Sequence, residues 1–450
     1  MTSEEMVKWS HATSWDHEYR APNDLTYLPY QNAGIAWADK HKRVLIGDTM
    51  GLGKTVQAIG FMNQIHDFYK STKILVVCPA SLKLNWKKEI LKWLHFPPST
   101  IAIPTSKKPT LDSEIVLVNY EMLSKFKEIL SQKWDIVIFD EMQYLSNPEA
   151  KRSIAAKQIR TEYLVGLSGT PMANRPIQLW NILDTIQPAQ WGTYHEFGLR
   201  YAGAFKKFNP FKRGQDKMEW CYSGNPQNMP ELQSRLRSSV MIRRMKDQVL
   251  KDLPDKVYTT TPLPAVPRVA REFKRYQALC EDREADENLK RGMMAQLKTE
   301  TGKAKVKAAI EIIENILSTG QKLVVFAYHQ DVLDSLQAAF TATSVRICGA
   351  VPSDQRQPLV DRFQTDPMIN LFIGQIVAAG TGLTLTASAH VLFVENDWTP
   401  GNMQQAEDRC HRIGQKNSVT IQYLELEESL DGPILRSLSR KSENIAKSLN

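Results

Sequence analysis

The sequence lacks the features of a membrane or secreted protein. No apolar run approaches the ~20 residues that a membrane-spanning helix needs. The first five residues are polar and acidic, without the basic start and apolar core of a secretory signal. The five cysteines are odd in number and scattered, and no C-x-x-C pair occurs. Neither a disulfide framework nor a zinc site is therefore supported, and we expect a reducing interior.

The sequence also lacks repeats at a solenoid period and low-complexity tracts. Its 450 residues are 42% hydrophobic and 24% charged, an ordinary globular composition that is long enough for two or three domains. The formal net charge is +8. A basic surplus of this size suits a polyanionic partner but does not establish one.

The first half of the chain alternates short apolar runs with helical patterns. Continuous apolar runs are typical of parallel strands that are covered on both faces. The predicted strands are 44–47, 73–78, 114–118, 135–139 and 163–167. The predicted helices are 56–62, 82–94 and 152–159. The alternation predicts a doubly wound α/β domain over residues 24–190, after an N-terminal extension of residues 1–23.

The second half repeats this plan, so we predict a second doubly wound α/β domain over residues 301–450. Its predicted strands are 322–327, 345–348, 370–373, 390–394 and 419–424, and its predicted helices are 332–340, 355–363 and 402–409. Residues 191–300 are predicted to form a helical, basic and aromatic insert, with an amphipathic helix over 230–250 and a charged helix over 290–317. No second Gly-Lys-Thr occurs, so the second domain is not expected to cradle a nucleotide alone.

The most informative stretch begins at Asp48 and reads Asp-Thr-Met-Gly-Leu-Gly-Lys-Thr. A strand, a Gly-rich turn, Gly-Lys-Thr and a helix form the usual phosphate cradle. Gly51 and Gly53 would let main-chain N–H groups approach phosphate oxygens. Lys54 would reach the β- and γ-phosphates, and Thr55 would offer its hydroxyl to Mg²⁺. Asp48 replaces the first glycine of the usual pattern, and a plain helix-opening turn is the alternative.

Two further groups follow predicted strands of the first domain. Asp140 would orient Mg²⁺ through its water shell and Glu141 would polarise the attacking water, whereas an ordinary acidic loop is the alternative. Ser168 and Thr170 carry small hydroxyls that can link the phosphate site to a neighbouring surface. A simple turn is the alternative there.

The second domain carries two candidate groups. Arg409 and Arg412 lie three apart in a predicted helix, hence on one face, and would act as arginine fingers across a cleft to the γ-phosphate. A solvated arginine pair is the alternative. Gly380, Thr381 and Gly382 form a Gly-bracketed hydroxyl whose N–H groups would grip a phosphate of ATP or of nucleic acid, and a plain turn is again the alternative.

The insert has a basic and aromatic segment at residues 201–213. Aromatic faces can stack on unpaired bases while cations hold backbone phosphates. The segment interleaves Tyr201, Phe205, Phe208 and Phe211 with Lys206, Lys207, Lys212 and Arg213. A hydrophobic brace that packs on the domains is the alternative.

In this order, these groups resemble the Swi/Snf family of double-stranded-DNA translocases in helicase superfamily two, over residues 27–424. The loop that starts at Asp48 is similar to the family's D-E-M-G-L-G-K-T, which accounts for the missing glycine, and Thr49 departs from Glu. Gln143 stands where the family's D-E-x-H has its His. The string His-Arg-Ile-Gly-Gln at 411–415 is highly specific to the family.

Five further strings resemble the branch that contains the HepA-related annealing helicases. They are 197–201, 241–246, 253–256, 326–329 and 378–385. The residues and the resemblance together imply ATP and Mg²⁺ as cofactors. The predicted catalytic residues are Lys54, Asp140, Glu141, Arg409 and Arg412, and the predicted metal site is Thr55, Asp140 and Glu141. The predicted ATP contacts are Gln31, Asp48, Met50, Gly51, Leu52, Gly53, Lys54, Thr55, Gly380 and Gln405. The predicted DNA contacts are Ser81, Trp86, Ser168, Thr170, Lys206, Lys207, Thr381 and Trp398.

The resemblance implies a DNA-stimulated ATPase that translocates on double-stranded or branched DNA and remodels or anneals it or displaces bound proteins. We expect it to be a monomer that binds DNA and no membrane, recruited by an unknown partner. It would lie in the cytoplasm of a bacterium or a virus-infected bacterium, or in the nucleus if eukaryotic. A strand-separating helicase, a restriction-type motor and a non-enzymatic nucleic-acid-binding scaffold are the alternatives.

Overall fold

The computed structural model describes residues 2–69, 72–96, 100–105, 111–208, 217–282, 285–379 and 382–449. Contacts between residues divide the chain into two compact units. The first comprises Met1–Lys251 together with Glu443–Asn450, and the second comprises Asp252–Ser442. The first unit therefore includes residues 191–251 of the predicted insert, and the second includes the rest of it.

The first unit is built on a seven-stranded parallel sheet. Its strands are β1 (Arg43–Ile46), β2 (Ile74–Cys78), β3 (Ile101–Ala102), β4 (Ile115–Asn119), β5 (Trp134–Asp140), β6 (Thr161–Leu167) and β9 (Met241–Ile242), in the order β3-β4-β2-β5-β6-β1-β9. Alternate strand residues enter two separate hydrophobic clusters, as Leu75 and Val77 do on one face and Ile74 and Val76 on the other. Both faces are covered, which is why these strands are continuously apolar.

Helices cover both faces of this sheet. They are α1 (Ser3–Trp9), α2 (Pro29–His41), α3 (Lys54–Tyr69), α4 (Lys83–Trp93), α5 (Tyr120–Leu123), α6 (Lys127–Ser131), α7 (Lys151–Gln158), α8 (Ile177–Ile186), α9 (Tyr194–Tyr201), α10 (Met229–Ser239) and α11 (Lys246–Val249). Two short 3₁₀ turns, Ala80–Leu82 and Met142–Leu145, follow β2 and β5. The doubly wound α/β fold predicted for this region is thus confirmed.

The insert contains strands as well as helices. An antiparallel hairpin joins β7 (Phe205–Phe208) to β8 (Met218–Cys221), with Lys206 opposite Trp220. Phe211, Lys212 and Arg213 lie outside the described residues.

The helix predicted over 230–250 is interrupted, since α10 ends at Ser239 and the short α11 begins only at Lys246. Met241 and Ile242 are fully buried and pair with β1 as the last strand of the sheet. Burial of these two apolar side chains against the sheet outweighs the helical pattern.

The second unit has a six-stranded parallel sheet. Its strands are β10 (Lys256–Leu263), β11 (Leu323–Ala327), β12 (Ser344–Ile347), β13 (Leu371–Gln375), β14 (His390–Phe393) and β15 (Val419–Leu426), in the order β10-β15-β14-β11-β13-β12. Its helices are α12 (Pro267–Glu281), α13 (Glu287–Leu317), α14 (Gln330–Ala339), α15 (Ser353–Thr365), α16 (Ile376–Ala379) and α17 (Pro400–Glu407). Helix α18 (Asp431–Leu449) follows, and its residues from Glu443 on belong to the first unit. Among the described residues, no helix is long and apolar enough to span a membrane.

Candidate nucleotide site and the arginine turn

Four neighbouring strands of the first sheet end at the same level, because their last residues pair with one another. Asp140, the last residue of β5, pairs with Leu167, the last residue of β6. Leu167 also pairs with Ile46 of β1, which in turn pairs with Ile242 of β9. Ligands of open α/β sheets bind at the carboxyl ends of the strands. The loops after these four strands meet at one edge, and they carry most of the predicted site residues.

The loop after β1 has the backbone of a phosphate-binding turn. Gly51 and Gly53 adopt left-handed φ angles of 85° and 68°, which residues with a side chain rarely adopt. A Cβ at Gly53 would also lie 2.5 Å from Nε2 of Gln31. Helix α3 begins at Lys54, so its unpaired N–H groups and positive dipole end adjoin the loop. The loop is therefore built to bind an anion.

Lys54 lies across this loop. Its Nζ donates to the main-chain carbonyls of Asp48 and Thr49, at 2.9 and 3.4 Å. Burial lowers the pKa of the ammonium, and the carboxylates of Glu141, Asp48 and Asp140 oppose that shift. The carboxylates therefore favour the cationic form that phosphate binding requires.

Asp48, in place of the usual first glycine, is a buried anchor for the loop. Its Oδ1 accepts from Nε and the main-chain N–H of Arg244, at 2.7 and 2.9 Å. Its Oδ2 accepts from Nη2 of Arg244 at 2.5 Å and from Nε2 of Gln57 at 2.8 Å. All three side chains are 0% exposed. The start of the phosphate loop is thus bound to the segment after β9 by a bidentate ion pair.

Arg243 ties the same segment to a third loop. Its Nη1 donates to the carbonyl of Gly47 at 2.5 Å and to that of Gly169 at 3.2 Å. A Cβ at Gly169 would lie 2.6 Å from Cγ of Met50 and 3.2 Å from Nζ of Lys54. The turn after β6 is thus packed against the phosphate loop, and only a glycine fits there without a shift of these side chains.

Asp140 is positioned by two neutral donors. Its Oδ2 accepts from the indole Nε1 of Trp86 at 2.8 Å, and its Oδ1 accepts from the N–H of Glu141 at 2.9 Å. Burial, followed by the charge of Glu141, raises the pKa of Asp140 to about 7, while Trp86 and Lys54 oppose the shift. A bound divalent cation would favour the carboxylate here, so the site fits Mg²⁺.

The same contact corrects one prediction. Trp86 is 1% exposed, so its side chain is enclosed in the unit and positions Asp140 instead of contacting nucleic acid. Among the described residues, no group of three or more His, Cys, Asp or Glu side chains is arranged to hold a metal ion. Mg²⁺ is commonly bound by one or two carboxylates together with phosphates, so Asp140 and Glu141 are an adequate set.

Gln143 links the carboxylate loop to the turn after β6. Its Nε2 donates to Oε2 of Glu141 at 2.6 Å, and its Oε1 accepts from Oγ of Ser168 at 2.6 Å. The main-chain N–H of Thr170 donates to the same Oγ at 3.2 Å. Ser168 and Thr170 are buried, at 0% and 6% exposure, which corrects their prediction as DNA contacts. The Ser168 hydroxyl therefore makes its hydrogen bonds inside the unit, where the turn is packed on the phosphate loop.

The other predicted ATP contacts of the first unit surround this loop. Gln31 is buried, its Oε1 accepts from the N–H of Leu28 at 2.9 Å and its Nε2 donates to the carbonyl of Leu52 at 3.5 Å. Met50 and Leu52 are buried within the loop, and Thr55 is half-buried in the first turn of α3. These predicted residues therefore lie together around the loop, where Arg243 and Arg244, which were not predicted as site residues, also lie.

In the second unit, Arg409 and Arg412 follow helix α17 instead of lying on it. The helix ends at Glu407, so the prediction that the two arginines share a helical face is wrong. The carbonyl of Arg409 accepts from the N–H of Leu385 at 2.9 Å, which takes the chain out of the helical path. We call residues 408–414 the arginine turn.

The two guanidinium groups nevertheless converge. Nη1 of Arg409 donates to the carbonyl of Leu383 at 3.3 Å, and Nη1 of Arg412 donates to the same oxygen at 3.0 Å. Arg412 also donates to Oγ1 of Thr384 at 3.0 Å. A segment that directly follows the predicted phosphate-gripping turn therefore orients both arginines.

The remaining predicted contacts are spread over the two units. Gly380 and Thr381 lie outside the described residues, and Gln405 is buried in α17. Trp398, predicted as a DNA contact, is half-buried and packs against the hydrophobic core of the second unit.

In the first unit, Ser81 is half-buried and follows β2. Lys206 and Lys207 are exposed on β7, and Nζ of Lys206 lies 5.5 Å from the ring centroid of Trp220. The hairpin therefore presents cations beside an aromatic ring.

A phosphate-binding turn, a paired-carboxylate loop and a second parallel-sheet unit with clustered arginines define a helicase-like fold of two RecA-like lobes. The chain belongs to the SNF2-related family. The model of the SNF2-related domain matches residues 30–324, and that of the helicase conserved C-terminal domain matches residues 304–414.

Curated relatives and a solved structure are similar to the chain. It is 35% identical to the DNA annealing helicase and endonuclease ZRANB3 of Bos taurus, over 94% of this chain and 40% of the relative. It is 34% identical to the SMARCAL1-like protein homologue of Caenorhabditis elegans, over 94% of this chain and 63% of the relative. The chain thus spans less than two thirds of the length of these relatives. The SWI2/SNF2 ATPase core of Sulfolobus solfataricus in complex with dsDNA matches with a TM-score of 0.47 and 24% identity, over 96% of this chain and 97% of that one.

Proposed function

We propose that this chain is a DNA-stimulated ATPase that translocates on double-stranded or branched DNA. The observation that carries the proposal is the row of strand ends in the first unit, which brings a phosphate loop, a carboxylate pair and a hydroxyl turn together. The family assignment and the ZRANB3 relative, named as a DNA annealing helicase, support DNA as the partner. Translocation of this kind would remodel or anneal DNA structures.

The chemistry of the proposal rests on the edge of the first sheet. The loop N–H groups and Lys54 would bind the β- and γ-phosphates, and Thr55 with Asp140 would hold Mg²⁺. When bound there, the ion would supply positive charge for the transferred phosphoryl oxygens. Glu141 accepts the proton of the attacking water. The hydrogen bond that Glu141 accepts from Gln143 supports this role, because it fixes the orientation of the carboxylate.

Gln143 also links the carboxylate loop to the turn after β6 by hydrogen bonds. It bonds at once to Glu141 and to Ser168, so a shift of the Ser168 turn would move the carboxylate that orients the water. We infer that Gln143 takes the coupling role that the family's His has in D-E-x-H. The unusual residue is thus compatible with an active enzyme.

The second unit supplies the cations for the developing charge in this proposal. Arg409 and Arg412 act as arginine fingers, which are worth about 10³- to 10⁵-fold in kcat where they have been measured. Their shared bond to the carbonyl of Leu383 supports a common orientation. Lys206 and Lys207 contact DNA phosphates, so DNA binding is expected to tolerate sequence and to weaken with salt.

Triplex displacement tests the proposed movement. A motor that tracks along duplex DNA removes a third strand without separating the duplex, whereas a helicase separates the two strands. We expect triplex displacement that requires ATP, with no strand separation on blunt duplex. Strand separation without triplex displacement would favour the helicase alternative, and DNA binding without ATP turnover would favour the scaffold.

A further inference from the structure

A buried lysine outside the nucleotide loops lies beside the arginine turn. Nζ of Lys256, the first residue of β10, is 2.8 Å from Oε2 of Glu407 and 2.9 Å from Oδ1 of Asp408. The side chain of Lys256 is 13% exposed, and those of Glu407 and Asp408 are 7% and 3% exposed. One cation therefore faces two adjacent carboxylates away from water.

The two carboxylates need that cation for electrostatic reasons. Glu407 ends helix α17 and Asp408 is its C-cap, where the negative end of the helix dipole disfavours anions. The hydroxyls of Tyr258 and Tyr423 also donate to Glu407, at 2.9 and 2.8 Å. Burial by itself disfavours the ammonium, but Asp408 and Glu407 outweigh it and hold the pKa of Lys256 well above its ordinary value.

The segment that leads into β10 contacts the arginine turn at a second point. The ring Nε2 of His411 lies 2.7 Å from the main-chain carbonyl of Pro254, two residues before Lys256. Arg409 follows Asp408 directly, and His411 lies between the two arginines. Residues 254–256 thus contact the turn both before Arg409 and before Arg412.

We propose that Lys256 is a positioning residue for Arg409 and Arg412, because its contacts with Glu407 and Asp408 fix the point where the arginine turn leaves α17. The inference rests on the finger role proposed above. A displacement of about 1 Å in a catalytic group can lower the rate about 100-fold, so loss of this cation would act on kcat. Lys256 itself touches neither phosphate nor the attacking water in this account.

A second buried lysine of the same unit provides a matched control. Nζ of Lys305 in α13 lies 2.8 Å from Oδ2 of Asp431 in α18, with side-chain exposures of 1% and 4%. This pair is at least as buried as the Lys256 cluster, and it lies on other elements. Lys305→Met therefore imposes a comparable loss of stability without disturbing the arginine turn.

The test compares Lys256→Met, Lys305→Met and Arg412→Ala in the full chain. For each, kcat and KM for ATP are measured with duplex DNA, at a temperature where circular dichroism shows the variant folded. We expect Lys256→Met to lower kcat at least about tenfold with little change in KM, and Lys305→Met to leave kcat near wild type. Equal kcat losses in the two lysine variants would overturn the proposal, because the effect would then be one of general stability.

Arg412→Ala distinguishes the positioning role of Lys256 from the finger role of the arginines. A large fall in its kcat together with normal kcat in folded Lys256→Met would overturn the positioning role and keep the finger role. Normal kcat in Arg412→Ala would overturn the finger role itself, whatever Lys256→Met does. Should Lys256→Met not fold, Asp408→Asn removes one of the two carboxylates through which Lys256 holds the turn and leaves the pair with Glu407. A kcat loss without a matching KM change is again expected, and an unchanged kcat would contradict the proposal.

Discussion

The two units hold their functional loops with buried ionic clusters of opposite composition. Behind the phosphate loop, three buried arginines, Arg237, Arg243 and Arg244, adjoin the single carboxylate of Asp48. Beside the arginine turn, one lysine faces two carboxylates. The first cluster is rich in cations and adjoins a loop built for an anion, and the second is rich in anions and adjoins two arginines.

This difference shows how each cluster matches its loop. Excess positive charge near the phosphate loop favours the binding of a polyphosphate, and main-chain carbonyls accept from Nη1 of Arg237 and of Arg243. Excess negative charge beside the arginine turn favours the cationic arginines that it presents. The clusters therefore differ in what their disruption should change, which the following variants test.

Arg244→Met should have the largest effect on stability. It leaves Asp48 buried without its bidentate partner, and removal of one member of a buried pair costs about 3–5 kcal/mol. Urea denaturation measures this loss. The double variant Asp48→Asn with Arg244→Met should recover part of it, because no uncompensated carboxylate remains. A loss below about 1 kcal/mol in the single variant would contradict the anchor role.

Asp140→Asn should separate stability from activity. The folded-state pKa of Asp140, about 7, is raised above its ordinary value of 3.8, so its contribution to stability is present below about pH 4 and is lost as the pH rises through about 7. Without nucleotide or divalent cation, the variant should have a higher Tm than wild type at about pH 8.5, and the difference should shrink towards about pH 5. It should also lack ATP turnover. A variant less stable than wild type at the higher pH would contradict this account of the site.

Gln143→Ala should have a smaller, kinetic effect. Loss of the link between Glu141 and Ser168 should lower DNA-stimulated kcat about tenfold while the affinity for ATP stays near wild type, because the phosphate loop is untouched. Gln143→His, which introduces the family's usual residue, is the matched control and should retain more activity. Equal activity of Gln143→Ala and wild type would show that the link has no catalytic role.

Asp408→Asn should have the smallest effect of the series. It removes one of the two carboxylates at Lys256 and leaves a balanced pair with Glu407, so the loss of stability should stay below about 1 kcal/mol. Asp48→Asn is the comparison, since it leaves Arg244 buried without a carboxylate. Equal losses of stability in Asp408→Asn and Asp48→Asn would show that the two clusters do not differ in their response to the loss of a carboxylate.

Much of the fold could be predicted from the sequence because parallel strands covered on both faces are continuously apolar. The rule fails where a strand does not fit that pattern. Strand β10 is polar and largely exposed, because it is an edge strand of the second sheet. Strand β9 has only two residues. Neither strand was predicted, and the segment containing β9 was placed in a helix.

The candidate site was predictable to a similar extent. Lys54, Asp140 and Glu141 follow strands, and parallel topology alone brings such positions to one edge. Arg244 was missed because its partner Asp48 is 196 residues away. A signal existed, since a carboxylate inside a phosphate loop requires a buried cation. The burial of Trp86 could not be predicted from the pattern, because an aromatic residue on a helix can face either a ligand or the core.

ATP turnover by wild type and Lys54→Ala, each with and without duplex DNA, tests the central claim most directly. Lys54 is the first residue of α3, and among its described hydrogen bonds Nζ donates only to main-chain carbonyls, so we expect Lys54→Ala to remain folded. We predict turnover that duplex DNA stimulates in wild type, and turnover at background in Lys54→Ala under both conditions. Near-normal turnover in the folded variant, or a wild type that DNA does not stimulate, would contradict the account.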